Sequence, residues 1–236
     1  MIYVESWAAI FQGAMDEEPR RFGACLEDSV IPASYRRRLN TFGRMAVSCG
    51  LSVAGADTSD LVFCSRYGDI DLAYSLLKTL GHDESMSPAA FSLSVHNAVP
   101  GVMDLVRKSQ VGHTAIAAGR HSFSAGLTEA WGKINSYPQR KVILVFAESA
   151  LPDELKSFSD VQQPGQALAM TLSGVPTEPC HGRICLVESN VEFSDMLSEQ
   201  IIQKMLDVWA SGSANPVCWK SRGCAWSFQA GSDAAH

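Results

Sequence analysis

Two short runs constrain the fold most: Asp60-Leu-Val-Phe-Cys-Ser65 and Lys141-Val-Ile-Leu-Val-Phe146. After the first residue neither contains a charge, and both are apolar at consecutive rather than alternate positions. Such a run is too short for a core helix and reads as a strand buried on both faces, with helices above and below. The segments between them carry helical spacing. Ser34 is placed to cap a helix reaching about Gly50, with Leu39, Phe42, Met45, Ala46 and Cys49 on one face. After an Arg66-Tyr67-Gly68-Asp69 turn, Asp69 opens a helix to about Leu80, with Leu72, Leu76, Leu77 and Leu80 inward.

Further strands are expected at residues 2–10, at Thr114 to Gly119, at Gln166 to Leu172 and at Arg183 to Val187. Residues 11–21 read as a charged loop through Pro19-Arg20-Arg21, and 150–164 as a polar loop with two prolines. Pro100-Gly101 begins a short helix, Ser122 to Ile134 forms another, and Ser194 starts an amphipathic one bearing Met196, Leu197, Ile201, Met205 and Trp209. The expected fold class is α/β, with a mixed, mostly parallel sheet and helices on both faces. Residues 1–190 read as the main domain, and 191–236 as a C-terminal helix and a tail whose Trp219 and Trp226 pack back onto it.

Within this pattern one turn stands out for chemistry. Ile116 to Trp131 (IAAGRHSFSAGLTEAW) is a strand, a glycine turn and a helix rich in small residues. Enzymes mount nucleophiles at such elbows, where the helix N-terminus stabilises an anion. The turn offers Arg120, His121, Ser122, Phe123 and Ser124. His121 with Ser122 or Ser124 would make a base and a nucleophile, although neighbours on a turn rarely point at one another.

A net charge of −6 argues against a mainly nucleic-acid-binding chain. The basic run Arg36-Arg37-Arg38 reads as an exposed helix face, or as a contact for an acidic partner such as a carrier protein. The first residues lack the basic and apolar regions of a signal peptide, and no apolar run approaches the roughly 18 residues of a membrane span, so a cytoplasmic protein is expected. The seven cysteines include no C-x-x-C pair, and Cys180-His181…Cys185 is poor zinc spacing. Reduced thiols are expected, with neither a metal nor a cofactor. His96, His113 and His121 are not at metal-ligand spacing either. His96 and Asn97 read as a buried hydrogen-bonding pair.

Three stretches in order resemble the N-terminal half of the β-ketoacyl-ACP synthases, which have the thiolase fold. They are FCSRYGDI (63–70), SPAAFSLSVHNAVPG (87–101) and TAIAAGRHSFSAGL (114–127). The resemblance covers roughly residues 1–190. In an active synthase the third stretch ends in Ala-Cys-x-x-Gly. Here, counting from Asn97 puts Arg120 at the nucleophile's position, and counting from Gly126 puts Phe123 there. No residue from 120 to 124 is a cysteine, and nothing beyond residue 190 resembles the half that supplies the catalytic histidines. Condensation needs a thiolate to accept the acyl chain and histidines to act on the carrier thioester. The resemblance therefore implies no catalytic residue in this chain.

The implied role is a chain-length-factor-like subunit of the short type found in aryl polyene clusters. It would pair with a full-length ketosynthase and meet acyl carrier protein through that complex. Thr114, Ala115, Ile116 and Ala117 would pair across the two-fold axis of such a dimer. Ala89, Ala90, Phe91, Leu93 and Asn97 would cross the interface and help wall the partner's acyl tunnel. Small Ala89 and Ala90 would leave that tunnel long, so Ala90→Phe would shorten products, although these alanines equally read as helix-to-sheet packing. Tyr67 either plugs the chain's own unneeded tunnel or is an ordinary core residue. Two other classes remain: an acyltransferase or thioesterase using Ser122, Ser124 or Cys64, and a stand-alone acyl-binding scaffold.

Overall fold

The computed structural model describes residues 1–12, 18–25, 27–55, 59–82, 84–160, 164–176, 178–187 and 193–231. Strands β1 (Ile2–Phe11) and β2 (Arg20–Gly23) come first, then helices α1 (Ala33–Arg36) and α2 (Thr41–Val53). Next are β3 (Asp60–Cys64), α3 (Ile70–Gly81), α4 (Pro88–Ser94), α5 (Ala98–Arg107), β4 (His113–Ile116) and α6 (Ser122–Ser136). The chain continues through β5 (Val142–Glu148), β6 (Gln166–Ser173), β7 (Gly182–Val187), α7 (Ser198–Ser211), β8 (Val217–Ser221) and β9 (Cys224–Ala230). All nine strands among the described residues join one sheet, in the order β4-β3-β5-β6-β1-β7-β9-β8, with β2 also paired to β1.

The sheet is mixed and has helices on both faces, but among its described strands parallel pairing is confined to β4-β3-β5. The other described pairs are antiparallel, so the expectation of a mostly parallel sheet is corrected. The reason lies in the C-terminal half. β3 to β4 and β4 to β5 are joined through α-helices and run parallel, whereas β5 to β6 and β8 to β9 return without an α-helix and pair antiparallel.

Burial explains the two founding runs. Leu61 and Phe63 of β3, with Ile143 and Val145 of β5, face a core closed by α2 and α5. Val62 and Cys64, with Leu144 and Phe146, face the opposite core, closed by α6 and α7. Adjacent residues point to opposite faces, so only a continuous apolar run satisfies both cores.

Several element boundaries differ from the sequence reading. The helix expected from Ser34 breaks into α1 and α2, and Asn40 caps the second, its Oδ1 accepting from the Gly43 N–H at 3.0 Å. Asn40 Nδ2 also donates to Asp69 Oδ1 at 2.7 Å, and that oxygen accepts from the Leu72 N–H, so the caps of α2 and α3 are joined. Arg37 and Arg38 are exposed, while Arg36 is half-buried and donates to the Asp28 carbonyl. Arg20 and Arg21 belong to β2 rather than to a loop. The strand expected from Thr114 to Gly119 ends at Ile116, and the final helix starts at Ser198, with Leu197 as its cap, instead of Ser194. The polar 150–164 stretch contains a 3-10 segment at Asp153–Phe158. The Trp219 and Trp226 tail forms the β8–β9 hairpin, which extends the sheet through β7 with both tryptophans fully buried.

The inward face expected for α3 is not buried. Leu72 and Leu76 are half-buried, but Leu77 is 64% and Leu80 55% exposed. The helix packs mainly on α4. The Ser85 to Gly101 stretch is likewise mostly on the surface of this chain, with Phe91 57% and Val95 44% exposed. No helix among the described residues is long and apolar enough to cross a membrane.

Candidate functional site

The elbow is built between β4 and α6. The chain leaves β4 at Ile116, and Gly119 takes φ +62°. A side chain is strained in that left-handed conformation. A 3-10 turn at Gly119–His121 then leads into α6. On the helix, Gly126 lies so close to the sheet that a Cβ there would sit 2.7 Å from Cys64 Sγ and 2.9 Å from Leu144 Cδ1.

Each candidate side chain has a structural occupation. The Ser122 hydroxyl donates to the Gly119 carbonyl at 2.7 Å and accepts from the Ala118 N–H at 3.1 Å. Ser124 Oγ accepts from Trp219 Nε1 at 3.1 Å, in full burial. Phe123 is fully buried, with its ring edge-on to Phe146. Arg120 reaches outward to Asp160 at 2.9 Å, and Arg66 pairs with the same carboxylate. His121 Nδ1 lies 3.8 Å from Asp195 Oδ1, and neither serine hydroxyl bonds to it among the described contacts. The Ser–His pairing weighed from sequence is therefore not assembled. Cys64 is fully buried with its Sγ 3.4 Å from the Val145 carbonyl, and burial pushes its thiol well up from the ordinary range. A protonated thiol without a base beside it is a poor nucleophile.

Sequence reasoning missed the residue that closes the elbow. Ser198, at the start of α7, accepts from the Phe123 N–H at 3.1 Å and donates to the Arg120 carbonyl at 2.9 Å. An elbow N–H that an enzyme would aim at an oxyanion is thus bonded within the chain. Trp219 and Arg222 of the C-terminal hairpin bind the same turn, at Ser124 and at the Ala118 carbonyl. Ser198→Ala leaves a buried N–H and a carbonyl without their partner, so it is expected to destabilise the fold by about 1–3 kcal/mol. Urea unfolding against the parent measures this, and an unchanged midpoint would show that the bridge carries no weight.

Beside the elbow, Tyr67 lines a cavity of about 270 Å³ with Glu148, Lys156, Gln166 and Glu199. The Tyr67 hydroxyl donates to the Phe158 carbonyl at 3.3 Å, and the Arg66 guanidinium lies over its ring. Glu148 was also missed. It ends the apolar strand β5, is 5% exposed and accepts from the Arg66 and Tyr67 N–H groups. Burial pushes its pKa up to about 8; the Glu199 charge adds to the rise, while the two N–H groups oppose it.

The remaining candidates separate by face. Ala90 and Leu93 are half-buried and line a pocket of about 130 Å³ with Leu39, Leu72 and Val99 of the same chain. Ala89, Phe91 and Asn97 are exposed. Thr114, Ala115 and Ile116 lie half-buried on β4, the last strand of the sheet, and Ala117 is exposed just after it. His96 Nε2 meets the Ser65 carbonyl at 3.0 Å, so its partner is not Asn97 as expected. His113 Nδ1 meets Asp104 Oδ2 at 2.8 Å. Among the described residues no group of three or more His, Cys, Asp or Glu is arranged to hold a metal ion.

Residues 7–229 match the family described as beta-ketoacyl synthase, N-terminal domain. The chain belongs to that family. This synthase-family chain also has relatives among solved structures. A ketosynthase in complex with its chain length factor from Xenorhabdus doucetiae gives a TM-score of 0.74 at 24% identity, covering 97% of this chain and 98% of that one. The ishigamide ketosynthase/chain length factor gives 0.58 at 10% identity, covering 80% and 68%. A beta-ketoacyl synthase from Burkholderia phymatum gives 0.54 at 9% identity, covering 87% and 68%. At these identities the likeness is one of fold, and it carries the thiolase-like architecture expected from the sequence. No curated protein matches the chain.

Proposed function

We propose that this chain is a non-catalytic, chain-length-factor-like subunit that pairs with a full-length β-ketoacyl-ACP synthase of the aryl polyene type and helps wall its acyl tunnel. The observation that carries the reading is the occupied elbow. Gly126 makes the close helix-to-sheet contact that a motif glycine would make, which favours the count placing Phe123 at the nucleophile's position. A buried phenyl ring there can neither accept an acyl group nor activate one. Both nearby serine hydroxyls are committed to backbone or indole partners.

The sheet edge that leads into the elbow supports pairing. β4 is the outermost strand, with one edge unpaired by any described strand. An open edge is a template for a strand of another chain. α5 packs beside it, α4 on α5 and α3 on α4, and these helices expose apolar side chains that a lone domain would bury: Leu77 and Leu80 on α3, Phe91 on α4 and Leu105 on α5. Covering them, with pairing at β4, fits an interface of the obligate class, roughly 2,000 Å² or more. Carrier protein and the condensation chemistry then belong to the complex, in the cytoplasm, with the synthase supplying thiolate and histidines.

Co-expression with the full-length ketosynthase tests this. The two chains are expected to elute together, and acyl label to be trapped on the synthase alone. Ala89, exposed on α4, is the small outward residue of the proposed wall, so Ala89→Phe is expected to shorten the products by mass. Acyl transfer or thioester hydrolysis by the isolated chain would overturn the reading in favour of a serine or cysteine enzyme.

A further inference from the structure

We propose that the cavity where β5 ends and β6 begins binds an uncharged small molecule through a cis-amide edge, the side-by-side N–H and carbonyl of a primary carboxamide or a lactam. The site is independent of the proposed pairing with a synthase. Its polar atoms are buried and lack partners. Gln166 opens β6 and is 1% exposed, yet neither its side-chain oxygen nor its side-chain nitrogen has a hydrogen-bond partner among the described residues. The Ser149 hydroxyl is buried and unpartnered in the same way. Both residues line the cavity of about 270 Å³. Buried polar groups are nearly always hydrogen-bonded, so bare ones lining a cavity call for an occupant.

The sheet brings these groups together. Gln166 and Glu148 stand directly opposite in the antiparallel β5–β6 pair, so their side chains leave the same face. Phe146 and Leu168 meet α6 and α7 on that face, and Glu199 in the first turn of α7 also lines the cavity. The other polar groups there have partners. Glu148 accepts from the Arg66 and Tyr67 N–H groups, and the Tyr67 hydroxyl donates to the Phe158 carbonyl. Lys156 pairs with Asp153. The unmet capacity is that of one carboxamide and one hydroxyl.

That capacity selects the ligand. A carboxamide side chain offers an acceptor oxygen and a donor N–H along one edge. Its complement is a second edge of the same kind, which closes a ring of two hydrogen bonds. Primary amides and lactams have this edge, whereas a trans secondary amide turns its N–H away from its carbonyl. Charged analogues satisfy only half of it: a carboxylate supplies no donor for Gln166 Oε1, and an amidinium no acceptor for the Gln166 N–H. Burial keeps Glu148 protonated to about pH 8, so near neutrality its O–H is a further donor for a ligand carbonyl. Small-molecule sites start at about 300 Å³, so this cavity suits a ligand of one ring.

Benzamide is the probe, added to the full chain near neutral pH. At about 10 mM it is expected to raise the melting temperature by about 3–5 °C, the shift that a Kd of about 1 mM gives. Benzoate, benzamidine and N-methylbenzamide keep the ring but lack the neutral cis edge, and each is expected to shift it by less than about 1 °C. Gln166→Leu keeps the size of the side chain and removes both polar atoms. It is expected to weaken benzamide binding at least about tenfold and to leave the unliganded chain no less stable, since no hydrogen bond is lost. Benzamide is also expected to move the Gln166 side-chain amide signals of the nitrogen-labelled parent chain, a readout that stands if the variant does not fold. No shift with benzamide, an equal or larger shift with any of the three analogues, or an undiminished shift in Gln166→Leu overturns the proposal.

Discussion

Phe91→Asp is expected to weaken association with the ketosynthase at least 100-fold while moving the melting temperature of the isolated chain by no more than about 1–2 °C. The two halves of this result come from one number. In the free chain the Phe91 side chain is 57% exposed, on the outer face of α4. Replacing an exposed side chain outside any cap or core changes stability by about 0.5 kcal/mol or less. In the proposed complex the same position is covered. There the phenyl ring is lost from an apolar contact, and a carboxylate must be desolvated without a partner, together about 3 kcal/mol or more. Every 1.4 kcal/mol is tenfold in affinity, so the loss exceeds 100-fold. Titration of the purified synthase with each variant, alongside a thermal melt of the isolated chain, reads both quantities. Undiminished affinity would remove α4 from the interface. A large fall in melting temperature would mean that Phe91 serves this chain's own core.

That position shows where a sequence stops informing. Helical spacing identified an apolar face on α3, but periodicity does not say what covers a face. For α2 the cover is this chain's own sheet, and Phe42, Met45 and Cys49 are buried as expected. For α3 the main cover is α4, and Leu77 and Leu80 stay exposed. The strands were legible where burial on both faces demands an unbroken apolar run, as in β3 and β5. The β8–β9 hairpin left a fainter trace. Val217, Trp219 and Ser221 are buried alternately with half-buried Cys218 and Lys220, a period of two that was open to reading as a strand. That residues 120–124 hold no cysteine could be read directly. The groups that hold the turn could not be read: Ser198 lies 75 residues from the Phe123 N–H that it accepts from, and Trp219 lies 95 from Ser124. Such contacts arise only after the sheet has assembled. Asn40 outcompeted Ser34 as a cap for a related reason, since it also bonds Asp69, 29 residues away.

Glu148 offers the other large effect, because its environment is set by the fold and its chemistry by one proton. In the unfolded chain this carboxyl releases its proton near pH 4.5, and in the folded chain it holds it to about pH 8. Across that window the folded state binds more protons than the unfolded one, so the Glu148 contribution falls as pH rises. Below the window both states are protonated and the contribution is fully present. Above it both are ionised and the loss is complete. The full shift corresponds to about 5 kcal/mol, an upper bound because any water entering beside the carboxyl reduces it. Glu199, raised by its own burial, slopes in the same direction. Glu148→Gln keeps an acceptor for the Arg66 N–H but carries no titrating proton. Urea unfolding at pH 5, 6.5 and 8 is therefore expected to show the parent losing stability relative to Glu148→Gln, with the variant the more stable of the two at pH 8. Parallel pH profiles would mean that the carboxyl is hydrated and ionised in the folded chain. A lone buried carboxyl is a cost that a fold tolerates only while it stays neutral, and here the ends of β5 and β6 set Glu148 directly beside Gln166, two polar side chains closing otherwise apolar strands. Whatever enters the cavity at this end of the sheet meets a protonated acid and an amide at neutral pH, not the anion that the sequence alone suggests.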